Sequence, residues 1–335
     1  DNSFGVRQSF AFPTVYANQR KLAKAQVKSS EWNRLATVSD VVAEVKQTYN
    51  QLVFLQEKLR LMRYQDSLYT RFATIAEKRY QSGEARKLEL MAAQSQKSET
   101  SNRLTQIETD IAVCLRRMQT LLNTQELLLP SADRLVAIPY TPRRADEATA
   151  NNPMMGMTLQ QVENAGIEHR LESSKVLPDF NIGVTSQTIR GTQEMDGRQR
   201  TFDSGNRFNS IQFGLSIPLF YSSSKAKVKA ARIKAAMARN DADNYAMKVR
   251  NDYLSLVDEY SRQQGVIGYY EKQAVPEADM IISQSEYGYR RGEIAYSEYI
   301  VNVSKALEIK QNYIEAINNY NQTVISLESV EGKTH

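Results

Sequence analysis

A long stretch without helix-breaking residues is the feature of this sequence that most constrains its fold. From Thr14 to Leu129 there is no proline, and Gly83 is the only glycine. The whole chain of 335 residues holds 14 glycines and 8 prolines, well below the usual share of about 12 % for the two together. A sandwich or jelly roll of short strands would need turn residues far more often. The chain is therefore predicted to consist mainly of long helices.

Gly83 divides this stretch into two helices that reverse direction, because glycine readily adopts the positive φ that a helix end requires. Before it, apolar residues recur every seven positions: Val38, Val45, Leu52 and Leu59. After it, the apolar spacing alternates between three and four: Leu104, Ile107, Ile111, Cys114, Met118 and Leu121. Both patterns are heptad seams, typical of helices packed side by side as in a coiled coil.

Strand patterns occur in three short segments, residues 4–12, 180–185 and 211–217, where apolar residues alternate with small or polar ones. A polar, glycine-containing stretch from Thr188 to Arg207 joins the last two and predicts a hairpin with a long exposed connection. Four prolines in residues 124–157 indicate irregular structure. A helix is predicted to follow, beginning near Thr158.

The chain contains an internal repeat. Residues 9–16 match residues 214–221 as strand, proline and helix, at an offset of 205. At the two reversals, five identities share an offset of 209: Glu77, Tyr80, Gly83, Glu84 and Glu89 match Glu286, Tyr289, Gly292, Glu293 and Glu298. The second copy also carries Gly288 and Pro276, and we expect the proline to kink its descending helix.

The repeat defines the expected organisation of the chain. The predicted segments are a strand at 1–13, a helical hairpin at 14–123, an irregular connection at 124–157, a helix at 158–176, a β-hairpin at 177–218 and a second helical hairpin at 219–335. The second copy is preceded by a helix and a strand, whereas the first begins directly with its strand. We infer that one helix and one strand are missing from the N-terminus of this sequence.

These motifs together resemble the TolC family of outer-membrane efflux ducts and, more loosely, its CusC/CzcC heavy-metal branch. The resemblance covers essentially the whole chain. The residues that carry it are the junctions Phe12-Pro13 and Ile217-Pro218, the turns at 79–84 and 289–293, Asn152-Pro153, and the C-terminal stretch 317–328. It implies a mainly α fold with a few strands, in which a duplicated strand and long helical hairpin contribute to a trimeric α-barrel plus β-barrel.

The resemblance also implies a function. Members of this family are homotrimeric, passive exit ducts in the outer membrane and periplasm of Gram-negative bacteria. They dock a periplasmic adaptor protein and an inner-membrane RND-type pump. The exported substrate, a metal ion, a drug or a dye, is not given by the sequence, because the pump supplies the specificity of such systems.

Other classes of protein fit this sequence less well than an efflux duct. Long hairpins also fit a periplasmic adaptor or coiled-coil tether without a pore, but the duplication that includes strands favours the duct. No stretch approaches the roughly 18 consecutive apolar residues of a membrane-spanning helix. A mild net charge of +5 gives no indication of nucleic acid, and the tyrosines of residues 269–299 are interpreted as filling gaps between helices. No catalytic, cofactor-binding or phosphate-binding motif is present, so an enzyme is not expected.

Three kinds of residue invite a metal-binding interpretation. Met154, Met155 and Met157 are soft ligands that suit Cu(I), but packing at the start of a helix explains them as well. Cys114 occupies a heptad position without a partner and is interpreted as a core residue. His169 is expected on a helix surface, and the other histidine, His335, is the last residue. No metal site is therefore predicted.

The turns are the candidate functional sites. The residues expected to dock the adaptor are Ser82, Gly83, Glu84, Arg291, Gly292 and Glu293. Glu84 and Glu293 also have a simpler explanation, since an acid in the first turn of a helix complements its dipole.

A gate is also expected at the second turn, where the resemblance places an acidic ring at Glu298. Tyr289 lies on the opposite side of this turn and is expected to help hold the gate shut. Val301 stands where the family carries a second ring acid, so one ring is expected. A solvated outer-face glutamate is the alternative explanation of Glu298, and the sequence leaves both open.

Overall fold

The computed structural model describes residues 2–126, 128, 130, 132, 134–217 and 222–333. The strands are β1 (Ser3–Phe10), β2 (Asp179–Thr188), β3 (Gly191–Met195), β4 (Arg198–Phe202) and β5 (Arg207–Ser216). The helices are α1 (Pro13–Gln81), α2 (Lys87–Leu121), α3 (Ala145–Thr149), α4 (Pro153–Ser174), α5 (Ser222–Tyr269), α6 (Val275–Arg291) and α7 (Tyr296–Val330). Some residues of the sequence argument lie outside the described ones: Leu129, Pro218, Leu219, Phe220, Tyr221 and His335.

The chain divides into two compact units. The first contains residues 1–34 and 153–247, and the second contains residues 35–152 and 248–335. The three strand segments are found where the alternation predicts them, in the first unit. They form one antiparallel sheet in the order β1-β2-β5.

The register of this sheet puts most of its apolar side chains on one face. Val6 pairs with Val184, and Val184 pairs with Ile211, so the three side chains stand in one row. This face is exposed, with Phe213 at 80 % and Ile211 at 67 % of full exposure. The opposite face carries mainly glycines and polar residues, including Arg7 and Gln212, together with Phe208. A contiguous exposed apolar face of this kind marks a surface made for an apolar environment.

A second hairpin, β3–β4, lies in the stretch expected to be an exposed loop between Thr188 and Arg207. Its turn is Asp196-Gly197, and both residues have positive φ, 55° and 74°. An Asp-Gly pair with both φ values positive matches the type I′ turn that the twist of a two-residue hairpin favours. The connection between β2 and β5 is therefore itself folded.

Helix α4 begins at Pro153, five residues before the expected Thr158. Proline is favoured at the first helical position because its missing N–H has no acceptor there in any case. Gly156 lies against α1, where an added Cβ would come within 2.6 Å of the Trp32 ring. The bare backbone at Gly156 thus makes room for the indole of Trp32.

Among the described residues of the second unit, buried side chains form two clusters. One is centred on Leu52, Tyr253 and Leu327, and the other on Tyr69 and Tyr299. The heptad interpretation of Cys114 as a core residue is confirmed, because it is buried and its thiol donates a hydrogen bond to the Thr48 carbonyl over 3.4 Å. Ile107 and Met118 of the same seam are also buried.

Backbone groups of the irregular connection at 134–144 form hydrogen bonds with tyrosine side chains rather than with a neighbouring strand. Tyr253 Oη accepts from the Arg143 amide at 2.9 Å, and Tyr260 Oη donates to the Tyr140 carbonyl at 2.8 Å. Tyr320 Oη donates to another carbonyl of the connection at 3.1 Å. Backbone groups in such a segment need partners when they are buried. Tyrosine hydroxyls supply them here.

A π-helical turn, Tyr270–Ala274, interrupts the second descending arm just before Pro276. The amide of Val275 donates to the carbonyl of Tyr270, five residues back. The expected disturbance at Pro276 therefore takes the form of one wide turn between α5 and α6. No helix of the described residues is long and apolar enough to cross a membrane.

Candidate functional site

The two reversals of the second unit have the same backbone geometry. At the first, Gly83 has φ 78°, its amide donates to the Tyr80 carbonyl at 3.1 Å, and the Glu84 amide donates to Arg79 at 2.8 Å. These bonds close the end of α1 around a residue with positive φ, as in a Schellman-type helix end. The reversal that the sequence predicts at Gly83 is confirmed.

The second reversal repeats each of these features. Gly292 has φ 74°, its amide donates to the Tyr289 carbonyl at 3.1 Å, and the Glu293 amide donates to Gly288 at 2.9 Å. A Cβ added at Gly83 or at Gly292 would meet no atom within 4 Å. Both turns therefore present bare, accessible backbone.

The side chains of the turns are exposed and charged. Glu84, Arg291 and Glu293 are at least 57 % exposed, and Arg291 forms an ion pair with Glu293 at 3.7 Å. The Ser82 hydroxyl bonds the Arg79 carbonyl at 3.1 Å. Such exposed pairs contribute little to stability. Their charges are available to a partner.

Arg79 lies at the centre of a polar contact between the two hairpins. Its Nη1 donates to the Tyr289 hydroxyl at 3.4 Å and lies 3.6 Å from Glu89 Oε1. Its Nε lies 3.8 Å from Glu84 Oε2. The hydrogen bond with Tyr289, aided by the two carboxylates, raises the pKa of Arg79 above its usual value. One guanidinium thus contacts two residues of its own hairpin and one of the other.

Tyr289 lies in a cluster of aromatic rings. Its ring centroid is 5.9 Å from Phe72, 5.1 Å from Tyr299 and 6.1 Å from Tyr296. Burial raises the pKa of Tyr296 to about 12 and raises that of Tyr299 as well. These two phenols therefore stay neutral throughout the physiological range. The aromatic rings fix the position of the Tyr289 ring, and its hydroxyl faces Arg79.

An open cavity of about 750 Å³ lies beside this contact. Arg79, Glu84 and Glu89 line it from the first hairpin, and Tyr289, Arg290 and Tyr296 line it from the second. Within the described part of the chain, no group of three or more histidine, cysteine or acidic residues is placed to hold a metal ion.

The two repeated acids have different surroundings. Glu89 has a side chain that is only 21 % exposed and is held by Arg79. Glu298, its counterpart in the repeat, is exposed at the start of α7, and among the described residues nothing pairs with it. The structure therefore brings Tyr289 together with Glu89, not with the predicted gate residue Glu298.

Sequence reasoning missed Arg79. The repeat contained a signal for it, because Arg79 aligns at the offset of 209 with Gly288, so the copies differ sharply at that position. Gly288 is buried, and a Cβ there would lie 3.6 Å from Ile294. The glycine of the second copy thus packs within its own hairpin, whereas the arginine of the first copy reaches Tyr289 of the other hairpin.

A family model described as outer membrane efflux protein matches residues 3–124 and 145–333. The chain belongs to that family. Both strand-and-hairpin copies fall inside the matched ranges. The unmatched residues 125–144 belong to the irregular connection, which forms no regular ladder in the described residues. Comparison with curated proteins gives no match.

Solved structures share the fold at low sequence identity. The outer membrane protein VceC from Vibrio cholerae is 16 % identical, with a TM-score of 0.81 over 98 % of this chain and 79 % of that one. CusC is 14 % identical, with a TM-score of 0.80 over 98 % and 77 %. The MtrE outer membrane channel of Neisseria gonorrhoeae is 14 % identical, with a TM-score of 0.76 over 99 % and 80 %.

These matches confirm the resemblance to TolC-like ducts and the predicted mainly α fold with duplicated strand and helical hairpin. The protein is an efflux duct of the outer membrane and periplasm of a Gram-negative bacterium, and a pore-free adaptor is not favoured. Its family and fold are those of passive channel proteins, not of enzymes.

Proposed function

We propose that three copies of this protein form the passive exit duct of a tripartite efflux system, coupled to a periplasmic adaptor and an inner-membrane RND-type pump. In this proposal the sheet segments, 1–13 and 177–218, belong to the outer-membrane part, and the hairpins, 14–123 and 219–335, to the periplasmic part. The exposed apolar face of the sheet supports the first assignment. The half-buried heptad seams support the second, because exposed members such as Val38 need neighbours.

The two turns serve as docking tips for the adaptor. Their residues are Ser82, Gly83 and Glu84 in the first turn and Arg291, Gly292 and Glu293 in the second. The matching backbone geometry of the turns is the observation that carries this proposal. Each turn presents an accessible glycine backbone next to exposed charged side chains. Two such equivalent surfaces suit an adaptor of which several copies bind around the duct through the same contact.

The tips also form the gate. Tyr289 holds the second hairpin against the first through Arg79, as the 3.4 Å hydrogen bond indicates. Glu298 is exposed in the single chain and free to line the closed end of the trimer. Three such carboxylates in a narrow pore would repel one another and favour cations, with little screening by salt.

Planar-bilayer recording of the intact trimer tests the role of Glu298. We expect Glu298→Ala to weaken cation preference and divalent-ion block. Glu99→Ala serves as the control, because Glu99 is a carboxylate of α2 whose side chain is 51 % exposed. It should change neither the cation preference nor the divalent-ion block. Unchanged selectivity in the Glu298 variant would place this residue outside the pore.

Light scattering on the detergent-solubilised protein tests the assembly. A mass of three chains is expected, because the helical arms of one chain offer exposed seam positions without neighbours. A stable monomer would contradict the proposed trimer, whatever the result for Glu298.

A further inference from the structure

Six exposed basic residues lie in the first turns of the two helices that follow the sheet. They are Arg20, Lys21 and Lys24 of α1 and Lys225, Lys227 and Lys229 of α5, and we call them the basic collar. No acidic residue occurs between positions 13 and 30 or between positions 222 and 240. Along α1 and α5 themselves, the collar therefore carries charges of one sign, and the nearest carboxylates on its cavity side are Glu168 and Glu172 of α4.

The sheet register places both parts of the collar at one edge of the sheet. The last residue of β1, Phe10, pairs with Phe180 near the start of β2, and the last residue of β5, Ser216, pairs with Asp179. Helices α1 and α5 therefore leave the sheet at the same end. All of these residues belong to the first compact unit.

The collar is duplicated along with the fold. Arg20 and Lys24 align with Lys225 and Lys229 at an offset of 205, the offset of the strand–proline–helix junction. Each pair stands four residues apart on one helix face, where like charges repel and destabilise the helix. A destabilising arrangement present in both copies indicates a use outside the helix itself.

Nearby carboxylates are used elsewhere. Glu168 pairs with Lys234 at 2.8 Å and Glu172 with Lys175 at 2.6 Å. Within the described part of the chain, no residue of the collar forms an ion pair. The positive charge of the collar is therefore left for an external anion.

Aromatic residues lie between the apolar sheet face and the collar. Phe12 stacks on Phe180 at 6.0 Å, and Tyr16 is 50 % exposed in the first turn of α1. Aromatic side chains at such a boundary are typical of the level of lipid headgroups. Arg20 follows about 10 Å beyond Pro13 along the helix, within reach of that level for a long side chain.

We propose that the basic collar binds the headgroups of anionic phospholipids in the periplasmic leaflet of the outer membrane. The lipid phosphodiester is the ligand, and the stem of each lysine or arginine lies along the apolar boundary while its charge contacts the phosphate. This inference rests on the proposed membrane position of the sheet. Peptidoglycan carboxylates and free phosphate are competing ligands that the test separates.

The test uses the full chain in dodecyl maltoside micelles doped with equal amounts of dioleoyl-phosphatidylglycerol and dioleoyl-phosphatidylcholine. Native mass spectrometry measures the ratio of the two lipids retained. The variant combines Arg20→Gln, Lys24→Gln, Lys225→Gln and Lys229→Gln, which also removes repulsion from both helices. The control combines Arg116→Gln, Lys97→Gln, Lys248→Gln and Lys272→Gln, four exposed residues of the other unit with the same charges.

We expect the wild type and the control to retain phosphatidylglycerol in preference to phosphatidylcholine. In the collar variant, the ratio of retained phosphatidylglycerol to phosphatidylcholine should fall at least about fivefold, which is the effect of one charge near a lipid surface. Equal retention of the two lipids by the wild type, or equal losses in variant and control, would overturn the collar proposal alone. Retention of neither lipid would instead contradict the membrane position of the sheet. If about 10 mM inorganic phosphate at constant ionic strength displaces the lipid, the collar binds free phosphate instead. If the protein co-sediments with peptidoglycan sacculi only when the collar is intact, the collar binds peptidoglycan.

Discussion

Arg79, near the end of α1, donates a hydrogen bond from Nη1 to the hydroxyl of Tyr289, near the end of α6, over 3.4 Å. The guanidinium also lies 6.0 Å from the centroid of the Tyr289 ring. These two residues come from the two copies of the repeat and from the two tips. Within one chain, the tips are therefore tied to each other and do not stand as separate hairpins.

Removing this tie should open the duct. Arg79→Gln keeps a polar side chain but loses the charge that contacts Tyr289, Glu84 and Glu89. Because Arg79 is 38 % exposed, we expect a cost of only about 0.5–1 kcal/mol, or a two- to fivefold rise in open probability. Single-channel recording of the trimer measures it. Arg86→Gln, at an exposed arginine beside the same turn, should leave the open probability unchanged.

Bulk at the tip glycines should abolish export without removing the duct. Gly83→Val and Gly292→Val together force β-branched residues into positive φ, at roughly 1–2 kcal/mol each, and place bulk on the bare backbone. Export in cells should fall while the amount of trimer in the outer membrane stays normal. The matched double Ala variant carries similar backbone strain with less bulk, so it should export better. Persistent export in the double Val variant would place docking elsewhere.

One buried hydroxyl should be dispensable. Tyr299 is fully buried, and within the described residues its hydroxyl has no hydrogen-bond partner. A buried polar group without a partner costs about 1–3 kcal/mol. Tyr299→Phe should therefore raise the free energy of unfolding by about 1 kcal/mol, measured by chemical denaturation in detergent.

Tyr253→Phe is the matched comparison, because Tyr253 is equally buried but bonds the amide and the carbonyl of Arg143. It should lower the free energy of unfolding by about 1–3 kcal/mol, since a backbone amide loses its acceptor. Equal effects of the two substitutions would show that the hydroxyl of Tyr299 does have a partner in solution.

The thiol of Cys114 should be protected from alkylation. Burial raises its pKa above the ordinary value, although Arg117 acts in the opposite direction. As pH rises, the thiol of the unfolded chain ionises first, near its ordinary pKa of 9. The protonated thiol therefore contributes fully to the stability of the folded protein below pH 9, and this contribution is lost as pH rises through the higher pKa of the folded state.

Maleimide labelling at pH 8 should be at least about tenfold slower for the folded protein than in guanidinium chloride. Val113→Cys combined with Cys114→Ser moves the thiol to a neighbouring position that is 54 % exposed, and it should label rapidly. Rapid labelling of the wild type would show that the helices around Cys114 open readily.

Local sequence signals predicted the parts of this structure that depend on local physics. The glycine reversals and the three strands follow from backbone conformation and side-chain alternation. The β3–β4 hairpin was missed although Asp196-Gly197 is a strong turn signal, because its strands are polar on both faces and show no apolar alternation. The start of α4 at Pro153 was missed because Pro153 was counted among the four prolines that indicate irregular structure over residues 124–157.

The candidate site was less predictable. The contact of Arg79 with Tyr289 joins residues 210 positions apart and depends on how two hairpins pack, which no local pattern encodes. The same holds for the tyrosine hydroxyls that bind the connection at 134–144. The sequence named Tyr289 and Glu298 as gate residues, but it did not indicate that Arg79 holds Glu89 while Glu298, its counterpart in the repeat, is exposed.

The π-helical turn at Tyr270–Ala274 explains how the second descending arm can be longer than the first. The offset between copies is 204 at Tyr49 and Tyr253 but 209 at the tip glycines, so the second copy has five additional residues between Tyr253 and Gly292. In an α-helix, five residues would advance the chain by about 1.4 turns and rotate every later side chain away from its neighbours. A single turn closed by a bond from residue i to residue i+5 takes up five residues in nearly one revolution. The wide turn therefore allows one arm to be longer than the other and leaves the second tip almost in the helical phase of the first.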